Sequence, residues 1–141
     1  CIYTIDEISN GTFMDTIDDK NIIPKNAKRI VLCSGKIYYE LIEKRDKLKN
    51  TNVAIIRVEQ LFPLNIDFID KLYKKYNKSE IFWVQEEPKN MGAWTFILSK
   101  LRKYDIKLIS REESAATASG SAKDSLQKQQ LIIDQVFDNI N

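Results

Sequence analysis

An α/β fold, a three-layer sandwich with a mostly parallel sheet between helices, is the architecture this 141-residue sequence predicts, on three observations. Short apolar runs rich in β-branched residues alternate with longer stretches of helical period. Within the runs polar residues do not alternate with apolar ones, the mark of strands buried on both faces. Polar turn residues follow each run on its carboxyl side.

Residues 1–27 read as a polar lead-in with one short packed piece, Ser9-Asn10-Gly11 and Asp18-Asp19 being turn signals and Pro24 the close. The α/β domain is expected over 28–141. Ile30-Val31-Leu32-Cys33, stopped by Ser34-Gly35, is the first core strand. From Lys36 to Lys49, Ile37, Leu41 and Leu48 alternate with charged residues at helical period, until Asn50-Thr51-Asn52 ends the helix. Val53 to Val58 is the second buried strand, and Pro63 marks the break before a helix over Ile66 to Tyr76. A strand at Ile81 to Val84, a helix from Ala93 to Tyr104, a strand at Ile106 to Ile109 and a terminal helix from Asp124 to Ile140 complete the alternation.

Such an order favours right-handed crossovers and helices on both faces of the sheet. Ligands then belong beyond the carboxyl ends of the strands. Those ends carry Ser34-Gly35-Lys36, Glu59-Gln60, Glu86-Glu87-Pro88 and Arg111 to Ser114, which are expected to share one edge.

Twenty-two basic residues against twenty acidic ones, interleaved along the chain, give no global footprint for nucleic acid. No apolar stretch approaches the roughly 20 residues that span a bilayer. The sequence has no histidine, which removes the commonest general base and metal ligand and argues against catalysis by this chain alone. No spacing of carboxylates suggests a metal loop. Cys1 and Cys33 are too few for a disulfide framework, and Cys33 sits in an apolar run where a buried thiol is expected, in a reducing compartment. A first residue of Cys1 and not methionine suggests a fragment.

Four segments carry a resemblance: Leu32 to Tyr39 (LCSGKIYY), Val53 to Pro63 (VAIIRVEQLFP), Trp83 to Trp94 (WVQEEPKNMGAW) and Arg111 to Gly120. In this order and spacing they resemble the C-terminal domain of the 2-oxoglutarate dehydrogenase family over roughly residues 10–140, the stretch Gln85 to Trp94 being the most specific. The resemblance implies the fold of a transketolase C-terminal domain. It also implies a multidomain homodimeric oxidoreductase of the tricarboxylic acid cycle, in the bacterial cytoplasm or mitochondrial matrix. That enzyme binds thiamine diphosphate and magnesium in domains upstream of this one. It decarboxylates 2-oxoglutarate, with 2-oxoadipate the nearest alternative, and passes a succinyl group to the lipoyl-bearing succinyltransferase. No catalytic, cofactor or metal residue of the family falls in this chain, so the domain is expected to serve assembly and allosteric control and to be inactive alone. The fourth segment lacks both prolines of the usual pattern, which loosens that loop and weakens any ligand contact from Glu112 to Thr117.

Ser34-Gly35-Lys36 opens a helix after a buried strand, where backbone N–H groups and the positive helix end attract phosphate. Ser34, Lys36, Arg57, Gln60 and Arg111 are therefore the candidate effector-binding residues, AMP or acetyl-coenzyme A being the effectors the resemblance suggests. Arg57, near the end of an apolar strand, needs a partner: Glu59, Glu86 or Glu87 in an ion pair, or a bound anion. A free-standing nucleotide- or acyl-coenzyme A-binding module using Lys36, Arg57 and Arg111 is the alternative reading, and a ligand-free dimerisation domain a third. Glu86 and Glu87 face opposite ways in extended chain and make no acid–base dyad. With Asn90 and Trp94 they form a loop expected to dock against the upstream domains or the second subunit, Trp94 as a packed anchor. Tyr38 and Tyr39 are expected one packed and one exposed, Lys71, Lys74 and Lys75 to form a solvated face, and Lys128-Gln129-Gln130-Leu131 to carry no chemistry.

Overall fold

Two central strands buried along their whole length, one apart from Arg29 and the other apart from Arg57 wholly apolar, call for a helical layer on each face, and that arrangement is found. The computed structural model describes residues 11–116, 120–138 and 140. The turn signal Ser9-Asn10, Cys1 and the Thr117 to Ser119 part of the fourth segment lie outside them.

The elements are β1 (Thr16–Ile17), a 3-10 turn at Pro24–Asn26, β2 (Arg29–Cys33), α1 (Ile37–Leu48), β3 (Val53–Val58), α2 (Ile66–Lys75), β4 (Glu80–Pro88), α3 (Trp94–Leu101) with a 3-10 turn at Arg102–Tyr104, β5 (Lys107–Arg111) and α4 (Ala122–Phe137). The sheet order is β1-β3-β2-β4-β5, parallel throughout except for β1, which runs antiparallel to β3 with Thr16 opposite Val58. The expected short packed piece of the lead-in is thus an edge strand.

Period two divides each strand between the layers. Ile30, Leu32, Ala54, Ile56, Val58, Ile81 and Trp83 face α2 and α3, meeting Ile69, Leu72, Tyr76, Ile97 and Leu101. Val31, Cys33, Val53, Ile55, Val84 and Ile109 face α1 and α4, meeting Ile37, Leu41, Ile132, Ile133 and Val136. Helix ends follow local chemistry. The Asn65 side chain accepts the Phe68 N–H at the start of α2. Lys49, left-handed at φ 50°, closes α1 by donating its backbone N–H to Arg45 and Asp46.

Two expectations are corrected. The third core strand does not stop at Val84 but continues to Pro88 through a register irregularity between those residues, so Glu86-Glu87-Pro88 is strand. Tyr38 and Tyr39 are both half-buried, because both rings lie against the Arg57 guanidinium, at 5.0 and 5.8 Å.

Cys33 is fully buried on the α1–α4 side, and burial pushes its thiol far above the ordinary range. In a Cys1→Ser background, native protein is expected to give no reaction with an aromatic disulfide reagent at pH 8 and one equivalent after unfolding in urea. Prompt reaction of the native thiol would show that the layer opens easily.

Candidate functional site

Strand β2 hands the chain to α1 on one face and has β3 on one side, whereas β4 lies on its other side and hands the chain to α3 on the opposite face. The strand order therefore reverses between β2 and β4. In open parallel sheets this switch point leaves a crevice beyond the carboxyl ends.

Here the crevice is lined by Lys36 from the β2–α1 turn, Glu40 one helical turn on, Glu86 from the end of β4, Arg111 from the end of β5 and Gln129 from α4, around a cavity of about 260 Å³. Gly35 makes the turn at φ +80°, a conformation that glycine adopts without strain. Lys36 Nζ lies 3.1 Å from Glu40 and 3.3 Å from Glu86, and Gln129 donates its amide N–H groups to the same two carboxylates at 2.8 and 2.9 Å. A four-membered polar ring results. Hydrogen bonding to Glu40, reinforced by Glu86, raises the Lys36 ammonium above its usual range, so it stays charged. Next to the ring, the Arg111 guanidinium has no hydrogen-bonding or ion-pair partner among the described residues, and its Nε–H is buried.

The predicted anion constellation is divided by the sheet. Lys36 and Arg111 share the crevice, but Arg57 stands on β3, three strand spacings or about 14 Å from β5. Arg57 makes the ion pair, with Nε 2.6 Å from Glu59, and donates to the Tyr39 hydroxyl at 2.9 Å. Gln60 turns to its own loop and donates to the Pro63 carbonyl at 2.9 Å. Ser34 lines neither this cavity nor its larger neighbour.

The loop after β4 is organised from beneath by Gln85, which is 4% exposed. Its Oε1 accepts the Trp83 indole N–H at 2.9 Å and the Trp94 backbone N–H at 3.0 Å, and its Nε2 donates to the Met91 and Pro88 carbonyls at 2.8 and 3.2 Å. Gly92, at φ +67°, lets the chain pass over this amide: a Cβ there would stand 2.9 Å from Gln85 Nε2. Asn90 then ties the loop to the next one, donating to the Ser114 carbonyl at 3.0 Å and accepting its N–H at 3.1 Å. Of the four predicted loop residues, Glu86 turns into the crevice, Glu87 and Asn90 are exposed, and Trp94 packs against the α2–α3 core. Lys71 and Lys74 are solvent-exposed, while Lys75 pairs with Asp18.

Sequence reasoning passed over Gln129, Gln85, Asp19 and Arg45. For Gln129 a signal existed, since 129, 132, 133 and 136 form the buried stripe of α4 at helical spacing. Among the described residues no group of three Cys, Asp or Glu side chains converges to hold a metal ion, and no helix is long and apolar enough to cross a membrane.

A family model described as 2-oxoglutarate dehydrogenase C-terminal matches residues 3–137. The "2-oxoglutarate dehydrogenase E1 component" of Rickettsia typhi is 41% identical over 148 residues, covering 96% of this chain and 16% of that protein. The "2-oxoadipate dehydrogenase complex component E1" of Rattus norvegicus is 36% identical, with 96% and 16% covered. The mitochondrial 2-oxoglutarate dehydrogenase of Caenorhabditis elegans is 38% identical over 121 residues, with 81% and 12% covered. This chain thus spans about a sixth of the length of the first two relatives. Among solved structures, a split-gene transketolase described as an inactive β4 tetramer superposes at a TM-score of 0.58 over 80% of this chain and 39% of its own, at 12% identity, which shows a shared fold.

Proposed function

This chain belongs to the 2-oxoglutarate dehydrogenase C-terminal family, and we propose that it is the assembly and regulatory domain of a larger 2-oxo-acid dehydrogenase. The observation that carries the reading is the family match over almost the whole chain combined with relatives about six times its length. The larger enzyme would be a homodimer in the bacterial cytoplasm or mitochondrial matrix. It would decarboxylate 2-oxoglutarate or 2-oxoadipate in the tricarboxylic acid cycle or a related route, and load a lipoyl-bearing acyltransferase. Thiamine diphosphate and magnesium would be bound by its upstream domains, as membership of this family suggests.

Within that enzyme the loop crest made by Glu87, Asn90 and Ser114, rigid through Gln85, is the face proposed to dock against the upstream domains or the second subunit. The switch-point crevice with Lys36 and Arg111 is the place where the phosphate end of an anionic effector, AMP or acetyl-coenzyme A, would be held, the rest of the effector lying outside it. Arg57 is a poorer partner because Glu59 already neutralises it.

Two measurements test these readings. With 2-oxoglutarate and ferricyanide as electron acceptor, the chain alone is expected to show no turnover, and deleting it from the parent polypeptide is expected to abolish both dimer and activity. A parent that remains dimeric and active without it would overturn the assembly role. In thermal-shift titrations, AMP or acetyl-coenzyme A is expected to raise the melting temperature by a few degrees, an increase lost in Arg111→Ala. No shift with either compound would refute effector binding here.

A further inference from the structure

Two polar atoms in the switch-point crevice are buried without a partner, and they are of opposite kinds. Arg111 Nε–H is a donor and Gln129 Oε1 an acceptor; both side chains line the cavity of about 260 Å³. Gln129 is only 9% exposed. Its amide cannot be turned over to relieve the oxygen, because Nε2 is held by Glu40 and Glu86, and a flip would set Oε1 against two carboxylates. Buried polar groups in folded proteins are nearly always paired, so an orphaned donor and acceptor on one cavity wall mark a place where something else completes the set.

The charges narrow the class of that occupant. The ring sets one cation, Lys36, against two carboxylates, Glu40 and Glu86, a net charge of −1 that Arg111 offsets; within the crevice the Arg111 guanidinium is the cation with no carboxylate paired to it among the described residues. An anionic oxygen answers Arg111. A hydroxyl or N–H next to that oxygen answers Gln129 Oε1. The volume equals that of about nine liquid waters, room for a compound of roughly ten heavy atoms. The neighbouring cavity of about 470 Å³ also touches Arg111, but it sets three carboxylates, Glu112, Glu113 and Asp124, against Arg111 and Lys128, a net −1 where the crevice is neutral, and so disfavours an anion more.

We infer that the crevice between the ends of β2 and β4 is a binding site for a small hydroxylated organic anion, such as a sugar phosphate or hydroxy acid, with Arg111 holding the anionic group and Gln129 Oε1 accepting from its hydroxyl. The inference concerns the same crevice as the effector reading and rests on that reading only for the claim that anions act there.

The test compares glycerol 3-phosphate with propyl phosphate, which lacks the hydroxyls, in ¹H–¹⁵N NMR titrations of the 141-residue chain. Glycerol 3-phosphate is expected to move the backbone signals of Lys36, Arg111 and Gln129 and to bind roughly tenfold more tightly than propyl phosphate, the factor one hydrogen bond to an unpaired buried group supplies. Arg111→Gln is expected to abolish binding of both, and Gln129→Leu to erase the preference while leaving phosphate affinity. Because the ligand comparison itself removes the hydroxyl, the result stands even if Gln129→Leu misfolds. Equal binding of the two compounds overturns the inference and leaves the effector reading intact. Binding of neither overturns it as well, an ordered water then being the only occupant, while the AMP and acetyl-coenzyme A titrations decide the effector reading independently.

Discussion

Replacing Asp19 by alanine is expected to cost about 3–5 kcal/mol of folding stability, the range found when one partner of a buried ion pair is removed and the other stays. Asp19 and Arg45 are both about 2% exposed and are bonded to each other. Asp19 also does what a strand would do. Strand β1 covers β3 only at Arg57 and Val58, so further along the edge the Ile55 N–H has no strand beside it, and Asp19 Oδ2 accepts it at 2.9 Å. Oδ1 meanwhile accepts the Asn21 N–H at 2.9 Å, and the Asp19 carbonyl accepts from the Tyr76 hydroxyl at 3.1 Å. The substitution therefore leaves a buried guanidinium with only the long bond to the Val53 carbonyl at 3.4 Å and an exposed carboxylate, Asp46, at 4.0 Å, leaves a strand N–H without its acceptor, and unpins the lead-in from the sheet. Urea unfolding at pH 7 measures the loss. The double variant Asp19→Ala/Arg45→Met is expected to recover part of it, because the stranded charge is gone. A loss below about 1 kcal/mol for Asp19→Ala would show that the pair is not held away from water.

Gln85→Leu is expected to cost about 3 kcal/mol, although the new side chain is nearly the same size. It takes the acceptor from the Trp83 indole N–H and the Trp94 backbone N–H, and the donor from the Met91 carbonyl; each buried polar group left unpaired costs about 1–3 kcal/mol, and the costs do not add fully. Hydrogen exchange over 86–93 is expected to accelerate along with the loss of stability, since one amide holds the whole loop. Gly92→Ala acts on the same contact from the other side. Its left-handed backbone and the 2.9 Å approach to Gln85 predict a smaller loss, about 1–2 kcal/mol. If Gln85→Leu destabilises the protein but leaves exchange in 86–93 unchanged, the loop is organised by something other than Gln85.

These predictions fall on residues whose partners the sequence alone did not reveal, whereas the helices and most of the strands were legible to within a few residues. Val53 to Val58 is a strand over the range expected, because burial on both faces leaves an uninterrupted apolar run. The three expected helices over 36–76 and 93–104 lie within two or three residues of α1, α2 and α3, the last closing in a 3-10 turn. The strand ends do share one edge, as parallel pairing of β2, β3, β4 and β5 requires. Family membership was likewise legible, in the words from Gln85 to Trp94.

What the sequence determined, then, was the set of elements, their layer and the family, because apolar periodicity and turn residues act within a few residues of where they are written. What only the tertiary structure decided was partnership. Arg57 chose Glu59 and the two tyrosine rings over an anion. Asp19 of the lead-in reached Arg45, and Gln129 of the last helix closed a ring with Glu40 and Glu86. Apart from Arg57 with Glu59, those contacts join residues 18 to 89 positions apart, and a charge or amide carries no mark in sequence of which distant group will neutralise it. Strand order brought them together: it set β3 and β5 about 14 Å apart, dividing the predicted anion site, and opened the crevice between β2 and β4 where Arg111 and Gln129 stand unpaired.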